Sequence, residues 1–202
     1  MRGALGWIII TAGIASTVGC VAPDRPALPQ YDRTAYVSVE PKPSPTPGFA
    51  WANGSKYAIV VRKRERSLTL YNQGGQLEVY PIVLGMAPIG PKVYQGDLRT
   101  PEGVYRISGK RVHERWSRFM LLSYPNAIDR ERYRGELRSD MVPFVNGVDP
   151  GLGGEVGIHG TDRVGANVRG VDWTLGCVSM FNDHVRELYD LVPVGTPVLI
   201  RE

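Results

Sequence analysis

The chain is sparing with cysteine and histidine: two cysteines, Cys20 and Cys177, and three histidines stand among 202 residues. With so few, and none clustered, there is no metal-ligand spacing, and neither a metal nor another cofactor is expected. Glycine is abundant at 24 residues, yet no P-loop and no Gly-x-Gly-x-x-Gly follows a strand, so no nucleotide is implied. The basic and aromatic array that marks nucleic-acid binding is missing, as is any internal repeat. The uncharged run from Ala4 to Val18 is too short and too rich in Gly, Ala and Thr for a transmembrane helix. What remains is 43% hydrophobic and 22% charged, enough for a folded core in one ordinary domain with extra segments. The net charge of +4 is spread among acids, as in RKRER and DRERYRGELRSD, and reads as a solvated mixed-charge surface.

The N-terminus, MRGALGWIIITAGIASTVGC, has a basic start at Arg2 and an apolar run, the pattern of an export signal. Its end, Thr17-Val18-Gly19-Cys20, resembles a bacterial lipobox, with Thr17 where Leu is usual. The resemblance implies a signal peptide over 1–19, lipidation of Cys20 and an exported protein anchored to a membrane in the cell envelope or periplasm. An ordinary signal peptide would also export the chain. Residues 20–55 follow, with prolines at 23, 26, 29, 41, 43, 45 and 47. Proline fixes φ and lacks an N–H, so this stretch reads as an extended linker.

From Lys56 the texture changes. KYAIVVRK, SLTLYN, QLEVYPIVLG, GVYRIS, FMLLSYP, EVGIHG and TPVLIRE read as short strands, with NQGGQ as a hairpin loop. NDHVRELYDLV reads as a helix with Val185, Leu188, Tyr189 and Val192 on one face and Asn182 or Asp183 as its cap. The fold class expected is mostly β, with one or two short helices. The segment 126–154 breaks the pattern. Its first half suits a surface helix, and the whole suits a lid or substrate wall, or equally a plain surface insertion.

In an exported chain with Cys20 lipidated, Cys177 has no partner. It is then buried and inert, paired with another molecule, or reactive. Gly176 before it permits a sharp turn or a close approach. His159, between Ile158 and Gly160, ends a strand eighteen positions earlier. A thiol needs a base to act as a nucleophile at neutral pH, and a Cys–His pair is the minimum equipment for acyl transfer. His113 and His184 read as surface residues.

The pattern His159-Gly160, fourteen residues, then Thr174-Leu175-Gly176-Cys177-Val178 resembles the signature of the L,D-transpeptidase catalytic (YkuD) domain. QGDLRTPEGVYRI (95–107) and the closing VPVGTPVLI resemble two further segments of that family, so the likeness spans about Lys56 to Arg201. Leu175 stands where His is usual and Ser179 where Arg or Asn is usual, and the cysteine segment is similar to the YafK-like branch. The resemblance implies a YkuD-like β-sandwich or barrel over 56–202. It implies a cysteine-dependent L,D-transpeptidase that acts on peptidoglycan stem peptides through a thioester. A hydrolase of cross-links or protein–peptidoglycan links (an L,D-endopeptidase or amidase) stays open, as does a non-catalytic wall-binding lipoprotein. Sortases share a His–Cys–Arg order, with Arg186 in reach after Cys177, but place the histidine much farther upstream.

The roles follow from the resemblance. Cys177 is the nucleophile and His159 the general base and acid. Thr174, Leu175 and Gly176 supply a carbonyl that orients the imidazole, and the N–H groups of Gly176 and Cys177 form the oxyanion hole. Arg99, Gly160 and Ser179 contact substrate. Arg99 and Thr100 line the cleft, unless Gly96, Asp97, Pro101 and Gly103 simply build a turn.

Overall fold

A computed structural model of the chain describes residues 54–73 and 75–202. The expected signal peptide, Cys20 and all but the last two residues of the 20–55 linker lie outside the described residues. The strands are β1 (Tyr57–Arg62), β2 (Ser67–Asn72), β3 (Gly75–Val83), β4 (Gly103–His113), β5 (Ser117–Leu122), β6 (Gly157–His159), β7 (Val178–Met180) and β8 (Pro197–Arg201). The helices are α1 (Ala127–Arg138), between β5 and β6, α2 (Val164–Val168), between β6 and β7, and α3 (Asn182–Leu191), between β7 and β8. The architecture is mostly β, as expected, with three helices among the described residues instead of one or two. The third is the five-residue α2, too short to leave a periodic signal.

The strands close into a barrel in the order β1-β2-β3-β7-β6-β5-β4-β8. Alternation along each strand explains the closure. In β1, Ile59 and Val61 enter the main core, while Ala58 and Val60 meet Tyr71 and Leu199 on the other face. Two long strands each serve two neighbours. β3 pairs with β2 and then, through Ile82 and Val83, with β7. β4 pairs with β8 and then, past an irregularity between Ile107 and Gly109, with β5.

β6 and β7 are only three residues each and run parallel, with Ile158 opposite Val178 and His159 opposite Ser179. Ile158 and Val178 fill the core, so His159 and Ser179 face the other way. Helix α3 sends Val185, Leu188 and the following Val192 into the same core, each worth about 1.5–3 kcal/mol of burial. Its N-cap is Phe181, without a side-chain cap, and not Asn182 or Asp183 as expected. Asn182 is engaged elsewhere: its side-chain amide accepts from Thr161 N and donates to Thr161 O.

The segment 126–154 lies mostly at the surface and is anchored by buried Asp129, Tyr133 and Val142. Asn126 and Asp129 form a capping box at the start of α1, and buried Asp129 also accepts from the Tyr105 hydroxyl on β4. Beyond α1 the chain turns tightly at Asn146-Gly147 between Val145 and Val148. Val142 and Tyr133 then pack on Val93, and Gln95 N donates to Gly151 O.

Candidate active site

His159 ends β6 and is buried. Its Nδ1 lies 2.6 Å from the carbonyl oxygen of Gly160. A carbonyl only accepts, so Nδ1 carries the proton and the Nε2 lone pair is left for chemistry. The ring stacks on Trp116, with centroids 4.3 Å apart, and meets Trp173 edge-on at 5.8 Å. Burial pushes its pKa down from 6.5 to about 4, against the opposing pull of the Gly160 bond. The imidazole is neutral at pH 7, as a base must be.

Cys177 immediately precedes β7. In the β6–β7 register, residues opposite one another share a face, so the step from Ser179 back to Cys177 returns to the face of His159. The thiol is partly buried and donates to the carbonyl of Glu155 at 3.6 Å. Enclosure raises its pKa from 9.0 to about 11; the Gly157 N–H and the Lys92 ammonium act in the opposite direction. Both partners are therefore neutral at rest.

The turn that presents the cysteine is held from several sides. Thr174 Oγ1 donates to Cys177 O at 2.7 Å and accepts from Gly176 N at 3.2 Å. Thr174 N donates to Leu84 O, and Met86 N to Thr174 O. Asp172 accepts from Leu84 N and from the Arg66 guanidinium. Gly176 has φ +142°, and a Cβ there would lie 2.7 Å from the carbonyl oxygen of Arg99. The GDLRTPEG segment is thus the floor under the turn. Asp97 shapes it, taking Lys92 Nζ and Arg99 N on Oδ1 and the amides of Val93 and Tyr94 on Oδ2. Buried Lys63 ties it to β1 through Gly90 O, Thr100 O and Glu102.

Several expected roles need correction. The carbonyl on His159 comes from Gly160 and not from Thr174–Gly176, because the ring folds back onto the carbonyl of the next residue in the chain. Gly160 is buried, and its N–H bonds Trp116 O and Arg118 O, so it faces structure and not substrate. Ser179 is fully buried with its hydroxyl on Gly160 O, which removes it from substrate contact. Thr100 is buried and accepts from Gly85 N, so it does not line a cleft. The Gly176 N–H, one of the two expected oxyanion donors, is already engaged by Thr174. Leu175 is 70% exposed at the turn's tip. Arg99 is half-buried with no ion pair among the described residues, and it stays a candidate for binding an anionic group. His113 is half-buried against Trp116, and His184 is buried between Tyr80 and Phe181, so neither is a free surface residue. Arg186, the sortase-like candidate, is paired with Asp183 and Ser117.

Trp116, Trp173, Asn167 and Lys92 were not singled out from the sequence, and Asn182 was read only as a helix cap. Trp173 and Asn167 lie between His159 and Cys177 in the chain, which is a usable signal. Trp116 and Lys92 carry none, since the fold alone brings the β4–β5 turn and the loop after β3 to the site. Among the described residues no group of three or more His, Cys, Asp or Glu side chains converges as a metal site.

The model of the L,D-transpeptidase catalytic domain (YkuD) matches residues 56–200. The Escherichia coli (strain K12) protein YafK, named as a candidate L,D-transpeptidase, is 26% identical over 145 residues, 69% of this chain. The chain spans 48% of that relative's length. Among solved structures, the helical cell shape determining protein Pgp2 from Campylobacter jejuni superposes with a TM-score of 0.54 at 21% identity, over 73% of this chain and 48% of Pgp2. Bd1075 from Bdellovibrio bacteriovorus gives 0.52 at 23%, with the same coverage. At these identities the two structures speak for the fold alone.

Proposed function

The chain belongs to the L,D-transpeptidase catalytic domain (YkuD) family, and from that premise we propose that it is a cysteine acyltransferase acting on peptidoglycan stem peptides. The observation that supports the reading is the pairing of β6, which ends in His159, with β7, which Cys177 immediately precedes, with Nδ1 of His159 capped by a carbonyl. The thiol of Cys177 attacks the carbonyl of a donor peptide while its proton passes to Nε2 of His159. The Cys177 N–H stabilises the oxyanion. Collapse of the tetrahedral species expels the donor's amine, which takes the proton from His159, and leaves a thioester. An acceptor amine then attacks the thioester and gives its proton to His159, which returns it to the departing thiolate.

Because both groups rest neutral, proton transfer accompanies attack and does not precede it. Arg99 is the residue we assign to a carboxylate of the stem peptide. Glu155, the residue after segment 126–154, holds the resting thiol through its carbonyl and brings the end of that segment to the site as one wall. In this reading residues 56–202 are the catalytic domain, carried in the cell envelope on the 20–55 linker from a lipid on Cys20.

The test is mass spectrometry of purified peptidoglycan fragments incubated with the full chain, beside Cys177→Ala. Cysteine-dependent products in which a donor residue is lost and an amine acceptor joined are expected. Cysteine-dependent cleavage alone would replace transfer with hydrolysis. Identical spectra for the two proteins would overturn the catalytic reading in favour of wall binding.

A further inference from the structure

The Gly160 carbonyl that orients His159 has a second donor, and its peptide group is held at both ends. Ser179 Oγ lies 3.2 Å from Gly160 O and 3.3 Å from Asn167 Nδ2. Asn167 Oδ1 in turn accepts from the Trp173 indole at 3.0 Å. Every proton in this chain has a forced place. The indole N–H only donates, so the Asn167 oxygen faces Trp173 and its NH2 faces Ser179. The carbonyl only accepts, so the Ser179 hydroxyl donates to it. The two lone pairs of Gly160 O are then filled, one by Ser179 and one by His159.

The other end of the same peptide group is the N–H of Thr161. It donates to Asn182 Oδ1 at 2.8 Å, and Asn182 Nδ2 returns a bond to Thr161 O at 2.9 Å. Gly160 itself has no room for a side chain: a Cβ there would strike Asn182 Oδ1 and the Trp116 carbonyl. Ser179 and Asn167 are almost wholly buried, where an unmade hydrogen bond costs about 1–3 kcal/mol.

We propose that Ser179, with Asn167 behind it and Asn182 opposite, clamps the Gly160–Thr161 peptide plane and so holds His159 as the Nδ1–H tautomer with Nε2 aimed for catalysis. These are positioning residues, since none touches the reacting atoms. The clamp also connects the wall residue Trp173 to the base. The proposal rests on His159 being the general base of the proposed function, and it is tested by one measurement that needs no substrate.

The experiment compares the full chain with Ser179→Ala, Ser179→Thr and Asn167→Asp. Asn167→Asp is nearly isosteric, but its side chain has no N–H, so it draws the Ser179 hydroxyl proton away from Gly160. Nitrogen-15 NMR of labelled histidine reads the tautomer directly, and three histidines are few enough to assign with His159→Gln. Wild type is expected to show one His159 tautomer, protonated at Nδ1. Ser179→Ala and Asn167→Asp are expected to show averaged shifts, with Ser179→Thr restoring the wild-type pattern. In the peptidoglycan assay the first two should lose roughly tenfold to a hundredfold in kcat, with KM within about twofold and Ser179→Thr near wild type. A pure Nδ1–H tautomer in both folded variants would overturn the clamp, whatever their kcat. If wild type itself turns over no fragment, the proposed function falls, and the NMR comparison still decides the clamp.

Discussion

The resting protonation of Cys177 sets a sharp expectation for its reactivity. Enclosure holds the thiol at a pKa of about 11 against an ordinary 9.0. Two units mean that at pH 7 the thiolate fraction is about 100-fold smaller than in an unperturbed cysteine. A more basic thiolate is intrinsically more nucleophilic, by roughly tenfold over two units at a Brønsted slope near 0.45. Alkylation of Cys177 at pH 7 should therefore run about tenfold slower than that of a small free thiol, before any steric hindrance. The perturbation is pH, from 4 to 11. The assay is the rate of carbamidomethylation by iodoacetamide in a Cys20→Ser background, read by intact mass. The rate should climb log-linearly with pH through neutrality and level off only near pH 11. A plateau reached below pH 8 and persisting toward pH 5 would refute the reasoning. That profile belongs to a preformed thiolate–imidazolium pair, and it would mean that His159 is charged at rest despite its burial.

Two further expectations follow from the same geometry. His159 has a folded pKa of about 4 against 6.5 when unperturbed, so below pH 6.5 the unfolded chain takes up a proton that the folded chain refuses. This contribution is complete above pH 6.5 and is lost as pH falls to about 4, amounting to about 3 kcal/mol. Urea unfolding at pH 7 and pH 4 should show wild type losing about that much more than His159→Gln; parallel losses would contradict the buried neutral imidazole. Gly176→Ala places a Cβ against the Arg99 carbonyl at a backbone angle that suits glycine, and should cost about 1–3 kcal/mol together with most of the turnover. A variant with an unchanged urea midpoint and unchanged turnover would show that the turn is not packed as described.

The family, and with it the proposed chemistry, was legible in the sequence because its signal is local. A cysteine after a glycine, a histidine at a strand end and the fourteen residues between His159 and Thr174 name the family and the proposed reacting pair. Seven of the eight barrel strands were legible too, as short runs rich in Val, Ile, Leu and Tyr; the three-residue β7, just after Cys177, was not read as a strand. Legible as well was α3, whose apolar stripe recurs at i, i+3 and i+7.

The supports of the pair were not legible, because they are long-range. Ser179 read as a substrate contact, since its position in the signature usually holds Arg or Asn. Parallel pairing of β6 with β7 instead turns its hydroxyl inward onto Gly160. Asn182 read as a helix cap and became a clamp, because the Thr161 peptide comes alongside the start of α3. Trp116 reaches His159 only across the β5–β6 ladder. Which residues are candidates for the reaction was determined by the sequence alone. Which atoms hold them still, and which charge state each rests in, was decided by burial and strand register, which exist only once the barrel closes.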